Sequence, residues 1–250
     1  MYGLPVSLLI TVPVYGQHEY THALVQDLER EGADYLIVDN RGDYPKLGGE
    51  QVIRPAENLG WTGASDLGFR IGFSDGYSHV MTLNNDTRIS KGFVAALLDS
   101  RLPADTGIVG PLYDDAVAFK AMLADYDGPA AEYTPVPRYR KVSVLDGTAL
   151  VLVREAWRKV GGLDLRSFGR YGWAAGLDLN LRVKRAGFGV YATEMAFINH
   201  FGRKTAHAEF GKLRYWLGGK REVQRGMRRV HEKSWRRELT REPVTLNLVG

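Results

Sequence analysis

The sequence predicts an α/β fold: a mostly parallel central sheet with helices on both faces, extended by a basic helical tail. Three observations carry this. Short apolar, β-rich runs alternate with helix-length amphipathic segments, the rhythm of strand–helix–strand units. Two of the runs stop abruptly at oxygen-bearing side chains, Asp39-Asn40 and Asn84-Asn85-Asp86, as strands do where an open α/β sheet meets a ligand. Basic charge is concentrated late: residues 201–242 hold 13 Lys or Arg against 5 acidic residues, whereas the first 200 hold 20 against 24. At 250 residues and 27.9 kDa the chain supports one sizeable core, or one core with an appendage.

The first strand is expected over residues 5–12 (PVSLLITV), ended by Pro13. A helix follows over 18–31, with Leu24, Val25 and Leu28 on one face. Residues 35–38 form a second strand leading into Asp39, and 51–54 a third. The loop NLGWTG at 58–63 precedes a helix to about Ser74, with Thr62 as its cap, Leu67, Ile71 and Phe69 inward, and Asp66 and Arg70 nearer solvent. Residues 78–83 read as the fourth strand, Ser90 as the cap of a helix over 91–98, and 107–110 as a short fifth strand. Beyond a poorly patterned stretch over 112–137, extended segments at 141–145 and 148–153 flank Asp146-Gly147, and a helix from Arg154 closes at Gly161-Gly162. A helix over 173–186, a strand over 189–193 and one or two helices over 210–241 complete the reading.

With no cysteine, disulfides, thiolate nucleophiles and cysteine–zinc sites are excluded. No apolar run reaches the roughly 18 residues needed to cross a bilayer, so a soluble, cytoplasmic chain is expected. Neither GxGxxG nor GxxxxGK[ST] is present, which argues against ordinary NAD binding and nucleotide hydrolysis. A nucleotidyltransferase would need a basic triphosphate loop near the N-terminus, and LLITVPVYGQHE offers none.

Asn84-Asn85-Asp86 supplies hard oxygen donors suited to magnesium or manganese held together with a diphosphate, or else is a polar turn. Its single carboxylate leaves most of the negative charge to the diphosphate. Asp39 is placed to read the ring N–H of a base, or is an Asx-turn residue. Asp178 is a general-base candidate, or a partner of Arg182 at the i,i+4 spacing. His200 is a candidate nitrogen ligand.

Taken in order, TVPVYG (11–16), IVDN (37–40), ENLGWTGASDLG (57–68), TLNNDT (82–87), LDGTALVLVREAWRKVGGLD (145–164), GLDLNLRVKRAGF (176–188) and NHFGRKT (199–205) resemble a family 2 glycosyltransferase of GT-A fold, near its rhamnosyltransferase-like members. The resemblance covers about residues 6–205. It implies a GT-A domain over 1–205, with a nucleotide-sugar half at 1–110 and an acceptor half at 111–205, followed by the basic extension at 206–250. It further implies a UDP-, dTDP- or GDP-linked sugar donor, Mn2+ or Mg2+, and inverting transfer to an acceptor hydroxyl on a glycan, lipid-linked glycan, protein or modified nucleic acid. Asp39 would contact the base. Pro13, Val14, Tyr15, Asn58, Gly60 and Gly63 would form the nucleoside pocket, Asn84 and Asn85 would adjoin the diphosphate, and Asp86 and His200 would hold the metal.

The family's Glu-Asp pair, whose Asp is the catalytic base, falls on Ala175-Gly176. Asp178, or Asp164, must then serve, or the domain is a catalytically weakened sugar- or nucleotide-binding module. The tail at 206–242 has three candidate uses: peripheral contact with an anionic membrane at the inner face, contact with nucleic acid, or a charged helix pair packed on the domain. Tyr215, Trp216, Leu217, Met227, Val230 and Trp235 give it an apolar side.

Overall fold

A computed structural model describes residues 6–114, 119–169, 172–201, 212–232, 235–240 and 243–247. The amino-terminal half is a parallel leaf: β1 (Leu8–Val14), β2 (Asp34–Asp39), β3 (Gln51–Ile53) and β4 (His79–Leu83), in the order β3-β2-β1-β4. Helices α1 (His18–Arg30) and α2 (Gly60–Ser74) make its crossovers. After β5 (Thr87–Ile89) and α3 (Phe93–Leu97) come β6 (Thr106–Tyr113), β7 (Arg138–Lys141), β8 (Ala149–Val153), α4 (Arg154–Val160), α5 (Leu165–Phe168), α6 (Ala175–Arg185) and β9 (Gly189–His200). Antiparallel β8 joins the leaf at β4, the sheet continues β8-β6-β9-β7, and β6 and β9 are parallel. One sheet thus runs through both expected halves.

Pro13 does not end β1. Pairing with β4 stops at Thr11↔Thr82, so the missing N–H falls beyond the last β4 partner, while pairing with β2 continues to Val14↔Asp39. On α2 the inward face is Ala64, Ser65, Gly68, Phe69, Gly72 and Phe73, with Leu67 and Ile71 half-buried. The two glycines let the helix backbone lie on the sheet: a Cβ at Gly68 would sit 2.0 Å from Thr11 Oγ1, and one at Gly72 2.6 Å from Val80 Cγ2. Thr62 is no cap, because the helix begins two residues earlier and its hydroxyl donates to Phe168 O at 3.0 Å. Asp66 is buried rather than solvent-facing. It accepts from Leu163 N at 3.0 Å and pairs with Arg70 at 3.1 Å, and burial pushes its carboxyl above the usual range.

Ser90 is likewise not a cap. Gly92, at φ 72°, precedes α3, and the buried Ser90 hydroxyl accepts from Phe197 N at 3.1 Å. The short β5, absent from the sequence reading, pairs with a β9 that runs seven residues past its expected end at Thr193.

The described tail is packed on the domain. Helix α7 (Lys212–Val230) lays Gly226 and Gly219 on aromatic rings, where added Cβ atoms would meet Phe168 at 2.1 Å and Trp173 at 2.5 Å. Met227 and Trp235 are buried, the latter on α8 (Trp235–Leu239), whereas Leu217 and Val230 are exposed. Glu238 receives Arg185 at 2.8 Å through its carboxylate and Lys184 Nζ at 2.7 Å through its backbone oxygen. Strand β10 (Val244–Asn247) then extends the sheet edge antiparallel to β7. The side chains of Tyr215 and Trp216 lie outside the described residues, as do 202–211.

Gly68→Ala should lower stability by about 1–3 kcal/mol through overpacking against β1. It should appear as a shifted urea midpoint at unchanged m-value; an unmoved midpoint would deny the close contact.

Candidate functional site

The chain winds from β1 outward through β2 and β3, then returns to β4 on the other side of β1. This reversal opens a crevice beyond the carboxyl ends of β1 and β4, the usual ligand position in such sheets. Gly16 at φ 64° and Gln17 at φ 55° turn the chain from β1 into α1; among the described residues Gln17 is the one non-glycine with positive φ. Strain of this kind clusters at ligand sites.

Across the crevice, β4 ends at Asn84, Asn85 and Asp86, and each is held differently. Asn84 accepts from Trp61 Nε1 at 2.9 Å, and its backbone N–H donates to Thr148 O at 2.8 Å, tying this strand end to the entry of β8. Buried Asn85 donates to Thr21 Oγ1 at 2.9 Å, fixing the strand end to α1. Asp86 leads directly into β5, whose pairing sets Thr87 opposite His200, and Phe201 N donates to Asp86 O at 3.0 Å. His200 and its neighbour are positioned from behind by Asp114, which accepts His200 N and Asn199 Nδ2, both at 2.9 Å.

Asp86 Oδ1 and His200 Nε2 converge to 3.6 Å, both side chains being at most 9% exposed. That separation exceeds a good hydrogen bond and suits two donors facing one cation. Among the described residues there is no cluster of three or more His, Asp or Glu able to hold a metal. A hard cation here would draw two protein donors and complete its shell from phosphate oxygens and water, the usual arrangement for magnesium. The donor chemistry fits on those terms.

The neighbouring loops are built around two polar residues at the end of β2. Asp39 is fully buried and accepts from Gly42 N at 2.9 Å, Tyr44 N at 2.9 Å and Arg54 Nε at 3.2 Å. Its carboxylate organises the loop that follows. Asn40 donates its backbone N–H to the Val14 carbonyl at 2.9 Å, and its side-chain oxygen accepts from Leu59 N at 3.0 Å, holding the glycine loop against β1. Within that loop Asn58 accepts from Gly60 N at 2.8 Å, and Gly60 takes φ 63°. Gly63 lies inside α2, where a Cβ would press on Leu59 at 2.9 Å. Pro13 and Val14 are buried in β1, and Tyr15 is half-exposed at its end.

The two carboxylates expected to act as base are both engaged by other partners. Asp178 has no exposed surface; one oxygen takes Arg182 at 2.7 Å and the other His231 Nε2 at 2.7 Å. A sealed carboxylate with both oxygens engaged offers no approach to an acceptor hydroxyl, so the base assignment gives way to the i,i+4 pair, enlarged by a tail histidine. Asp164 caps α5, accepting from Arg166 N and Ser167 N at 3.0 Å. Burial acts to raise its carboxyl, but the hydrogen bonds from Ser167 and Arg166 hold it below the usual range, which weakens it as a base.

Sequence reasoning missed Trp61, Asp114 and the Asp27–Arg88 lock. Buried Asp27 accepts Arg88 Nε at 2.6 Å and Arg88 Nη2 at 2.9 Å, anchoring β5 on α1. The spacing of 61 residues between these partners left no local signal.

The chain matches a crystal structure of GalNAc-T7 with UDP, GalNAc and Mn2+ at a TM-score of 0.55 and 14% identity, covering 78% of this chain and 44% of that one. It also matches A197 from STIV at a TM-score of 0.52 and 13% identity, covering 78% and 86% of the two chains. At such identities the likeness concerns fold alone, a GT-A-like α/β fold. No protein-family model matches the chain. In sequence it is 64% identical over 231 residues to uncharacterized protein Rv1525 of Mycobacterium tuberculosis and to uncharacterized protein Mb1552 of Mycobacterium bovis, covering 92% of this chain and 88% of each relative. The chain belongs to the family of these mycobacterial proteins.

Asp178→Ala leaves Arg182 and His231 facing a void and should cost about 3–5 kcal/mol. Chemical denaturation checks this; a variant of wild-type stability would remove the structural role.

Proposed function

We propose that the chain is a family 2 glycosyltransferase, near the rhamnosyltransferase-like members, that moves a sugar with inversion from a nucleoside-diphosphate donor to an acceptor hydroxyl. The observation that carries this is the meeting of Asp86 and His200 at the carboxyl ends of the sheet strands. On this reading the donor half is 1–110 and the acceptor half 111–205. The nucleoside lies over Pro13, Val14, Tyr15 and the Asn58–Gly63 loop, with Asp39 beneath it. Because Asp39 is fully buried and its two oxygens already take Arg41, Gly42, Tyr44 and Arg54, the direct base contact expected of it gives way to an indirect role, shaping the pocket through the loop it holds.

Asp86 and His200 would hold Mn2+ or Mg2+, which when bound neutralises charge developing on the departing diphosphate. Asn84 and Asn85 hold their backbone rigid there, so the crevice is organised before donor arrives. The UDP and Mn2+ in the GalNAc-T7 structure belong to that protein, and they support the same ligand class here.

A second reading, a sugar- or nucleotide-binding module with weakened catalysis, is favoured by one finding: Asp178 is sealed and Gly176 presents no side chain. The tail bears on the acceptor. Among the described residues no helix is long and apolar enough to cross a membrane. The outward face of α7 carries exposed Arg221, Arg225 and Arg228 beside exposed Leu217, a composition suited to an anionic inner-membrane surface near a lipid-linked acceptor.

A thermal-shift screen of UDP-, dTDP- and GDP-sugars should show stabilisation by one nucleotide class that grows with manganese. Asp86→Asn should abolish the manganese increment and lower donor turnover about 10²-fold. Stabilisation without any turnover favours the binding module, and no stabilisation by any donor rejects both. Sedimentation with phosphatidylglycerol vesicles should lose the protein when Arg221, Arg225 and Arg228 are changed to Ser; equal sedimentation would remove the membrane role.

A further inference from the structure

We propose that Asp146 is the general base of this site, an assignment that rests on the glycosyltransferase reading above. Three placements point to it. Asp146 lies in the turn entering β8, directly before Gly147 and Thr148, and the Thr148 carbonyl receives Asn84 N at 2.8 Å, so the turn abuts the strand end that carries Asp86. Gly147 lies against the Trp61 indole, where a Cβ would stand 2.7 Å from the ring; the same indole donates to Asn84. The amino-terminal turn of α6 faces this turn as well, since a Cβ at Gly176 would come 3.6 Å from the Cα and N of Gly147. The two glycines thus bring α6 and the β8 turn together beside the crevice, and the carboxylate at that junction is supplied by Asp146.

Its surroundings differ from those of the other acids. Asp178 is sealed, Asp164 caps a helix, and Asp114 spends both oxygens on Asn199 and His200. Asp146 is half-exposed, and Thr148 N and Thr148 Oγ1 both bind one oxygen, Oδ1, at 2.8 and 2.6 Å. Those two bonds fix the carboxylate orientation. In the step, the carboxylate takes the proton of the acceptor hydroxyl while that oxygen bonds to the anomeric carbon. The bond from that carbon to the diphosphate oxygen breaks, and its electron pair leaves with the nucleoside diphosphate.

The test uses Asp146→Asn, which keeps an oxygen for Thr148 while removing basicity. Donor binding is read by thermal shift, and turnover as hydrolysis of the responsive nucleotide sugar in manganese. Unchanged binding with kcat lowered about 10²- to 10⁴-fold, and loss of the acid limb of the kcat–pH profile, is expected. A second variant guards against a folding defect: Gly176→Asp in the Asp146→Asn background restores a carboxylate from the facing helix, with no atom nearer its Cβ than 3.6 Å. It should recover at least tenfold of the lost rate. Turnover of Asp146→Asn within threefold of wild type overturns the assignment while leaving donor binding intact. So does a wild-type protein that binds donor without turning it over. Failure of wild type to bind any nucleotide sugar instead overturns the parent reading, and the two failures are separated by the binding measurement.

Discussion

The site depends on the antiparallel pairing of β5 with β9. Only three residue pairs make up this ladder, Thr87↔His200, Arg88↔Asn199 and Ile89↔Ile198, and β5 lies off the main path of the sheet. So short a strand is marginal by itself. It is held because Arg88 forks onto buried Asp27 of α1, which also accepts Ile89 N at 3.2 Å, and because Asp114 clamps the partner strand. The consequence is chemical: a carboxylate from the first half of the fold and an imidazole 114 residues later share one small volume. Removing the pairing would leave Asp86 at the end of a strand with nothing opposite it.

The crevice walls follow the same economy. Asn40, Asn84 and Asn85 each join two elements at a strand end, so polar groups that read as ligand-binding in the sequence are largely engaged in setting loop positions. Buried amides left unsatisfied would be costly, and this arrangement leaves the loop backbone, more than the amides themselves, to shape the pocket. Asp39 shows the point most clearly, since a carboxylate with no exposed surface organises a whole turn through backbone N–H groups.

Much of the fold was legible because its signals are local. Strand-length apolar runs and the amphipathic face of α1 placed β1, β2, β4 and α1 to within a few residues. The errors arise where tertiary contact overrides local pattern. Pro13 reads as a terminator, but the neighbour whose hydrogen bond it would break has already parted from it. Ser90 and Thr62 read as helix caps and instead serve partners 107 and 106 residues away. Asp66 reads as solvent-facing because its helix packs through glycines, an inward face that carries no hydrophobic signal. The approach of Asp86 to His200 follows the order of the motifs that carry them, whereas Trp61 and Asp114 act through contacts that spacing does not encode.

Asp178 joins the fold, the tail and the chemistry. Arg185 Nη1 lies 3.1 Å from His231 Nδ1, and a guanidinium only donates, so Nδ1 accepts and the ring proton sits on Nε2, donating to Asp178. The buried Asp178 carboxylate is paired with Arg182 at 2.7 Å. Burying an ion pair stabilises little by itself, because desolvation offsets most of the attraction, but breaking one is costly. The pair therefore acts more as a latch than as a source of stability: it fixes α6 to the tail through the first residue beyond α7. A carboxylate committed to that latch cannot also exchange protons with an acceptor. The same helix end presents Gly176 toward Gly147, so the latch to the tail and the close approach of α6 to the β8 turn are set by one short stretch of helix.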